Sequence, residues 1–88
     1  MNNSPPKLKP GQVSLIRADI NTGHVLKTNN ELYLGQGDTF EIFDSIELAE
    51  TFIKERLTEK VDIEYVIYDS NSKPIVMWDR KEKRQIKN

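Results

Sequence analysis

His24, the only histidine of the chain, follows Gly23 in the stretch INTGH. An unperturbed imidazole titrates near neutral pH and suits proton transfer. A general base, however, needs a nucleophile or a substrate proton within reach. A lone histidine in a turn offers neither, so His24 reads as an exposed turn residue. Asp38, Glu41 and Asp44 lie close together in sequence, and paired carboxylates can divide acid and base roles if burial or a neighbour raises one pKa. Nothing around them implies such burial. DINTG and DSNSK each start with an acid followed two residues later by Asn, a spacing that raises the question of calcium. An EF-hand loop needs ligands continuing to a closing Glu and a Gly at its sixth position, and neither stretch has them. Both read as turns in which an Asp side chain bonds nearby backbone. GQGD lacks the Lys and Ser/Thr of a phosphate loop and the third glycine of a dinucleotide turn, and reads as a hinge or bulge.

The 88 residues include no cysteine, which removes disulfides, thiolate catalysis and cysteine-ligated zinc and points to a cytoplasmic protein. No apolar run approaches the roughly 20 residues that cross a bilayer, so no membrane association is expected. MNNSPPKLKP lacks the apolar core of a signal peptide. Net charge is −1, but the average hides a division. Residues 1–10 carry +2, residues 79–88 carry +3, and residues 11–78 carry −6. An acidic body repels phosphate backbones and attracts basic partners.

These residues must be positioned by few elements. Residues 1–10, rich in Pro and Asn, are expected to be disordered, and residues 79–88 to form a basic tail, frayed or briefly helical. Residues 11–78 make one domain. QVSLIRAD reads as a strand from Gln12 to Asp19, VLKT and ELYLG as strand pieces, and TFEIF as extended residues before a helix. The helix spans FDSIELAETFIKERL, with Asp44 and Glu47 as a capping box and Phe43 with Leu48 as a staple. Leu48, Ala49, Phe52, Ile53 and Leu57 form its apolar stripe. Glu50 and Lys54 face water as an i,i+4 pair. In the next strand Val61, Ile63, Tyr65 and Ile67 share one face, and Asp62, Glu64, Val66 and Tyr68 the other. Pro74 opens the last strand, in which Ile75 and Met77 point opposite to Val76 and Trp78. The expected fold is α+β: a single four-stranded, mainly antiparallel sheet with one helix on one face, in the order β-β-α-β-β.

One helix covers one face, so Val66, Tyr68, Val76 and Trp78 are expected to line the other as a contact patch, with Asp62 and Glu64 steering charge. The alternatives are that the terminal segments fold over this face or that Trp78 turns inward.

The stretch IFDSIELAETFIKERLTEKVDIEYVIYDSNSKPIV, less than half of the chain, resembles a pattern of small bacterial ββαββ proteins. Their helix follows a Phe-x-Ser, an Ala lies on its buried side, and an IEYVIYD-like strand comes next. Many are uncharacterised, and some resemble the immunity proteins that neutralise polymorphic toxins of neighbouring bacteria. The resemblance transfers no site residue, but it implies a protein that acts by occlusion. The expectation is a non-enzymatic, cofactor-free domain that binds another protein, in its sharpest form an immunity-like inhibitor of a basic toxin. A homodimeric structural domain is the first alternative, and a single-stranded RNA-binding module the second, disfavoured by the acids beside the aromatics.

Overall fold

A computed structural model of the chain describes residues 6–59, 62–79 and 82–86. Its first strand, β1 (Val13–Asp19), alternates so that Val13, Leu15 and Arg17 point to one side, and all three are buried. The turn after it is closed by the Asp19 carboxylate, which accepts from Asn21 N at 2.8 Å and Thr22 N at 3.3 Å. β2 (Val25–Leu26) then returns antiparallel along β1. ELYLG does not extend it as a strand; a single bridge, Leu26 to Leu32, stands there instead. Gly35 and Gly37 fall in the same loop, and their flexibility costs strand formation. β3 (Glu41–Phe43) comes back to the other end of β1, so β2 and β3 share one edge of β1 end to end.

Helix α1 (Ile46–Leu57) begins one residue later than its expected cap. Ser45 is the N-cap, its hydroxyl accepting from Leu48 N at 3.2 Å, whereas Asp44 accepts from Gln12 Nε2 at 3.0 Å. The capping box and the staple are therefore both replaced, and Leu48 is 54% exposed rather than part of the stripe. Ala49, Ile53 and Leu57 are buried and Phe52 partly so, which keeps the remaining four stripe positions. Glu47 in the first turn and Lys54 and Arg56 in the last complement the helix dipole.

β4 (Ile63–Tyr68) lies on the other side of β1, with Leu15 opposite Ile67 and Ile16 opposite Val66. Val61, expected to share the inner face of this strand, lies outside the described residues. The turn into β5 (Pro74–Asp79) is organised by Asp69, whose carboxylate accepts from Asn71 N at 2.8 Å and Lys73 N at 3.0 Å. Ser72 completes it at a φ of 61°. The sequence after Asp79 departs most from expectation. Residues 82–85 are not a frayed or helical tail but a strand, β6 (Glu82–Gln85), antiparallel to β5. Among the described residues the sheet thus has six strands rather than four, in the order β2-β1-β4-β5-β6 with β3 also on β1, and every pairing there is antiparallel. Of the N-terminal segment expected to be disordered, residues 1–5 lie outside the described residues and 6–10 carry no helix or strand.

The core sits between α1 and one side of this sheet. Leu15, Ile63, Tyr65, Ile67, Val76 and Trp78 meet Ala49, Ile53 and Leu57. Removing this apolar surface from water is the main favourable term holding the two layers together.

Candidate protein-binding face

The pairing register decides which residues reach the side of the sheet that α1 leaves open. Between Ile67 and Tyr68 the β4–β5 register shifts, so that Tyr68 pairs with Pro74 while Ile67 pairs with Val76. Ile75 is the extra residue of this bulge, and it packs against the core. Beyond it, Val66 pairs with Met77 and Tyr65 with Trp78. Paired residues share a face, so Val76 and Trp78 point at the helix. The expectation that they line the open face is corrected: both are buried, and Trp78 turns inward, as one alternative held. Alternation along β5 tells which residues stand together, but the bulge settles which side they take.

Trp78 is fixed in place by the helix. Its Nε1 donates to Glu50 Oε2 at 3.1 Å, Lys83 Nζ reaches the same oxygen at 2.7 Å, and Lys54 Nζ stands 5.7 Å from the ring centre. Glu50 thus turns to Trp78 and β6 rather than to open water. A small cleft of about 200 Å³ opens beside Trp78 between Lys54, Leu57 and Thr58.

On the open side a continuous cross-strand row runs Ile16–Val66–Met77–Arg84. Its three apolar members are half-buried. Ala18 and Glu64 form the adjacent row, and Asp79 follows Met77 along β5, bonded to Arg84 at 3.4 Å. Tyr68 stands at the other end, pairs with Ser14 and meets the Phe40 ring edge-on, with centroids 6.5 Å apart. Ile42, opposite Ser14 from β3, extends the same surface and is 48% exposed. Of the expected contact residues the structure brings together Glu64, Val66 and Tyr68. Asp62 is exposed just before β4, where its carbonyl accepts from Ile20 N at 2.9 Å.

The carboxylates that could have paired for catalysis are not assembled. Asp38 is exposed, Glu41 turns to Arg17, and Asp44 turns to Gln12. His24 is exposed in its turn. Among the described residues no group of three or more His, Cys, Asp or Glu side chains gathers at metal-binding distance.

Sequence reasoning passed over Arg17. The side chain is 2% exposed and lies under α1, its guanidinium carbon 5.4 Å from the Phe52 ring centre and 5.8 Å from that of Tyr65. Nη1 donates to Thr28 O at 2.9 Å and Asn30 Oδ1 at 3.3 Å, and Nη2 bonds the Glu41 carboxylate. Nε is buried with no acceptor among the described residues. The available signal was parity: Arg17 alternates with Leu15 and therefore faces inward. Burial pushes the pKa of neighbouring Tyr65 above its ordinary 10.0, against the opposing pull of the Arg17 and Arg56 charges.

No protein-family model, curated protein or solved structure matches the chain.

Proposed function

We propose that this chain is a non-enzymatic binding domain that holds a basic partner protein against the open face of its sheet. The observation that carries the reading is the half-exposed row Ile16–Val66–Met77, ending beside Tyr68 and bordered by Glu64 and Asp79. Apolar anchors in the middle of a surface supply affinity, and an acidic surround supplies orientation and encounter rate. With β6 counted in, residues 11–86 carry ten bases and fourteen acids, a net −4, which still favours a basic partner over an acidic one. The resemblance of residues 42–76 to small bacterial ββαββ proteins, some of them immunity-like, suggests the sharper form: an inhibitor that works by covering a basic toxin. Such a protein needs complementary shape and charge but no catalytic group.

The burial of Trp78 counts against an RNA-stacking platform. It leaves Tyr68, with Phe40 edge-on to it, as the aromatic pair of this face, too few rings for a run of stacked bases, and Glu64 and Asp79 stand at the far end of the same face.

The test is a binding titration between this protein and the purified product of the neighbouring gene. Association that weakens with added salt is expected, with Tyr68→Ala and Met77→Asp each costing roughly tenfold or more in affinity. Leu48→Lys, on the outer side of the helix, should leave it unchanged. Binding that survives both sheet-face substitutions, or no binding at all, defeats the reading. Light scattering that shows a dimer broken by Met77→Asp would instead assign the face to a second copy of the chain.

A further inference from the structure

We infer that Arg17 is a positioning residue that clasps the neck of loop 27–40 and so sets where Phe40 and Ile42 stand on the open face. The role of that surface rests on the function proposed above; the clasp itself does not. The guanidinium is a planar fork with its donors in fixed directions. One arm, Nη1, takes Thr28 O and Asn30 Oδ1 at the start of the loop, and the other, Nη2, takes Glu41 just past its end. A single buried group therefore joins both ends of the segment. Asn30 is held at a φ of 71°, a left-handed conformation that Asn tolerates better than most residues, so its side chain can reach the clasp.

The coupling to the far side of the sheet follows from alternation. Glu41 points toward Arg17 and the helix layer, while Phe40 and Ile42 on either side of it point to the open face. The β1–β3 ladder holds Glu41 and Ile42 from the backbone side, and the Arg17–Glu41 pair adds a side-chain restraint at the residue between Phe40 and Ile42. The loop has further ties: Thr28 N donates to Asp38 O at 2.9 Å, and Lys27 bonds Glu31 at 3.1 Å. These two lie within the loop; the Leu26–Leu32 bridge and the bond from Tyr33 N to Val25 O at 3.0 Å tie its middle to β2, but none of them joins its two ends to the core. Arg17 does, seated between Phe52 and Tyr65. Release of Glu41 would leave a buried cation unpaired, which disfavours opening.

Hydrogen exchange read by mass spectrometry on the isolated protein tests this with Arg17→Lys, which keeps the charge and loses the fork, and Glu41→Gln, which keeps the size and loses the ion pair. Each substitution should speed exchange of residues 28–42 by about tenfold or more while β4 and β5 hold their protection. Glu41→Gln, at a partly exposed side chain, keeps the test decisive if Arg17→Lys does not fold. Unchanged exchange at 28–42, or an equal rise through β4 and β5, overturns the clasp. No partner is needed, so failure here leaves the sheet-face reading standing, and failure of the partner titration leaves the clasp standing.

Discussion

Tyr65 lies beneath the helix with the Arg17 cation beside it, and its ionisation links the core to pH. Burial raises its folded pKa above 10.0, so the folded chain keeps the phenol proton where the unfolded chain has begun to lose it. A raised folded pKa contributes stability that is fully present below the unfolded value and is lost as pH rises through the folded one. The midpoint of urea unfolding should therefore fall from about pH 10 upward, and Tyr65→Phe should flatten that fall. An unaltered alkaline slope in the Phe variant would show that Tyr65 does not carry the effect. At this scale the sequence was legible wherever parity alone decides. Ile63, Tyr65 and Ile67 are all buried, and Glu64, Val66 and Tyr68 all lie on the other side, as alternation requires. It misled where a local irregularity intervenes. Alternation groups Val76 with Trp78 correctly, yet the bulge at Ile75 sets their side, and SNSKPIV has no glycine to announce it.

Among the elements, the helix shows most plainly how far periodicity reaches. The three- and four-residue spacing located it, but Asp44 and Ser45 are both good caps and the spacing does not choose between them. The choice is tertiary: Gln12 engages Asp44, leaving Ser45 to receive Leu48 N. Ser45→Ala should cost about 1 kcal/mol in chemical denaturation, and Asp44→Ala distinctly less. Equal losses would mean that the cap is shared. β6 was illegible for a different reason. Glu82, Lys83, Arg84 and Gln85 have no apolar alternation, so their extended state comes from the free edge of β5 rather than from local preference. As an edge strand it is short and charged, a composition that discourages pairing with further chains. Loop 27–40 was expected to contain a strand piece and a hinge. Gly37 there has a φ of 105°, which side-chain-bearing residues rarely adopt, so the backbone angle requires glycine; an added Cβ would also stand 2.5 Å from Lys27 Cδ, a flexible side chain that can move aside.

For the molecule as a whole, the division of charge read from the sequence acquires a geometry. The basic end is not separate from the acidic body. Lys83 reaches Glu50 on the helix, and Arg84 reaches Asp79. Each pair sets an exposed base on a mostly covered carboxylate. Pairs open to water on one side contribute modestly and are screened, so raising salt to about 0.5 M should lower unfolding stability by less than about 1 kcal/mol. A larger loss, in a denaturant series at fixed pH, would mean that charge rather than apolar burial holds β6 and the helix together. The strand order carries one more consequence, for the chain during synthesis. β1 is made before β4, and Ser14 pairs with Tyr68 across all the residues between them. Until β4 has emerged, Leu15 and its neighbours have β2, β3 and the helix for company but no strand along their other edge. The nascent protein therefore carries an unfinished, sticky margin from the time β1 is made until β4 follows it.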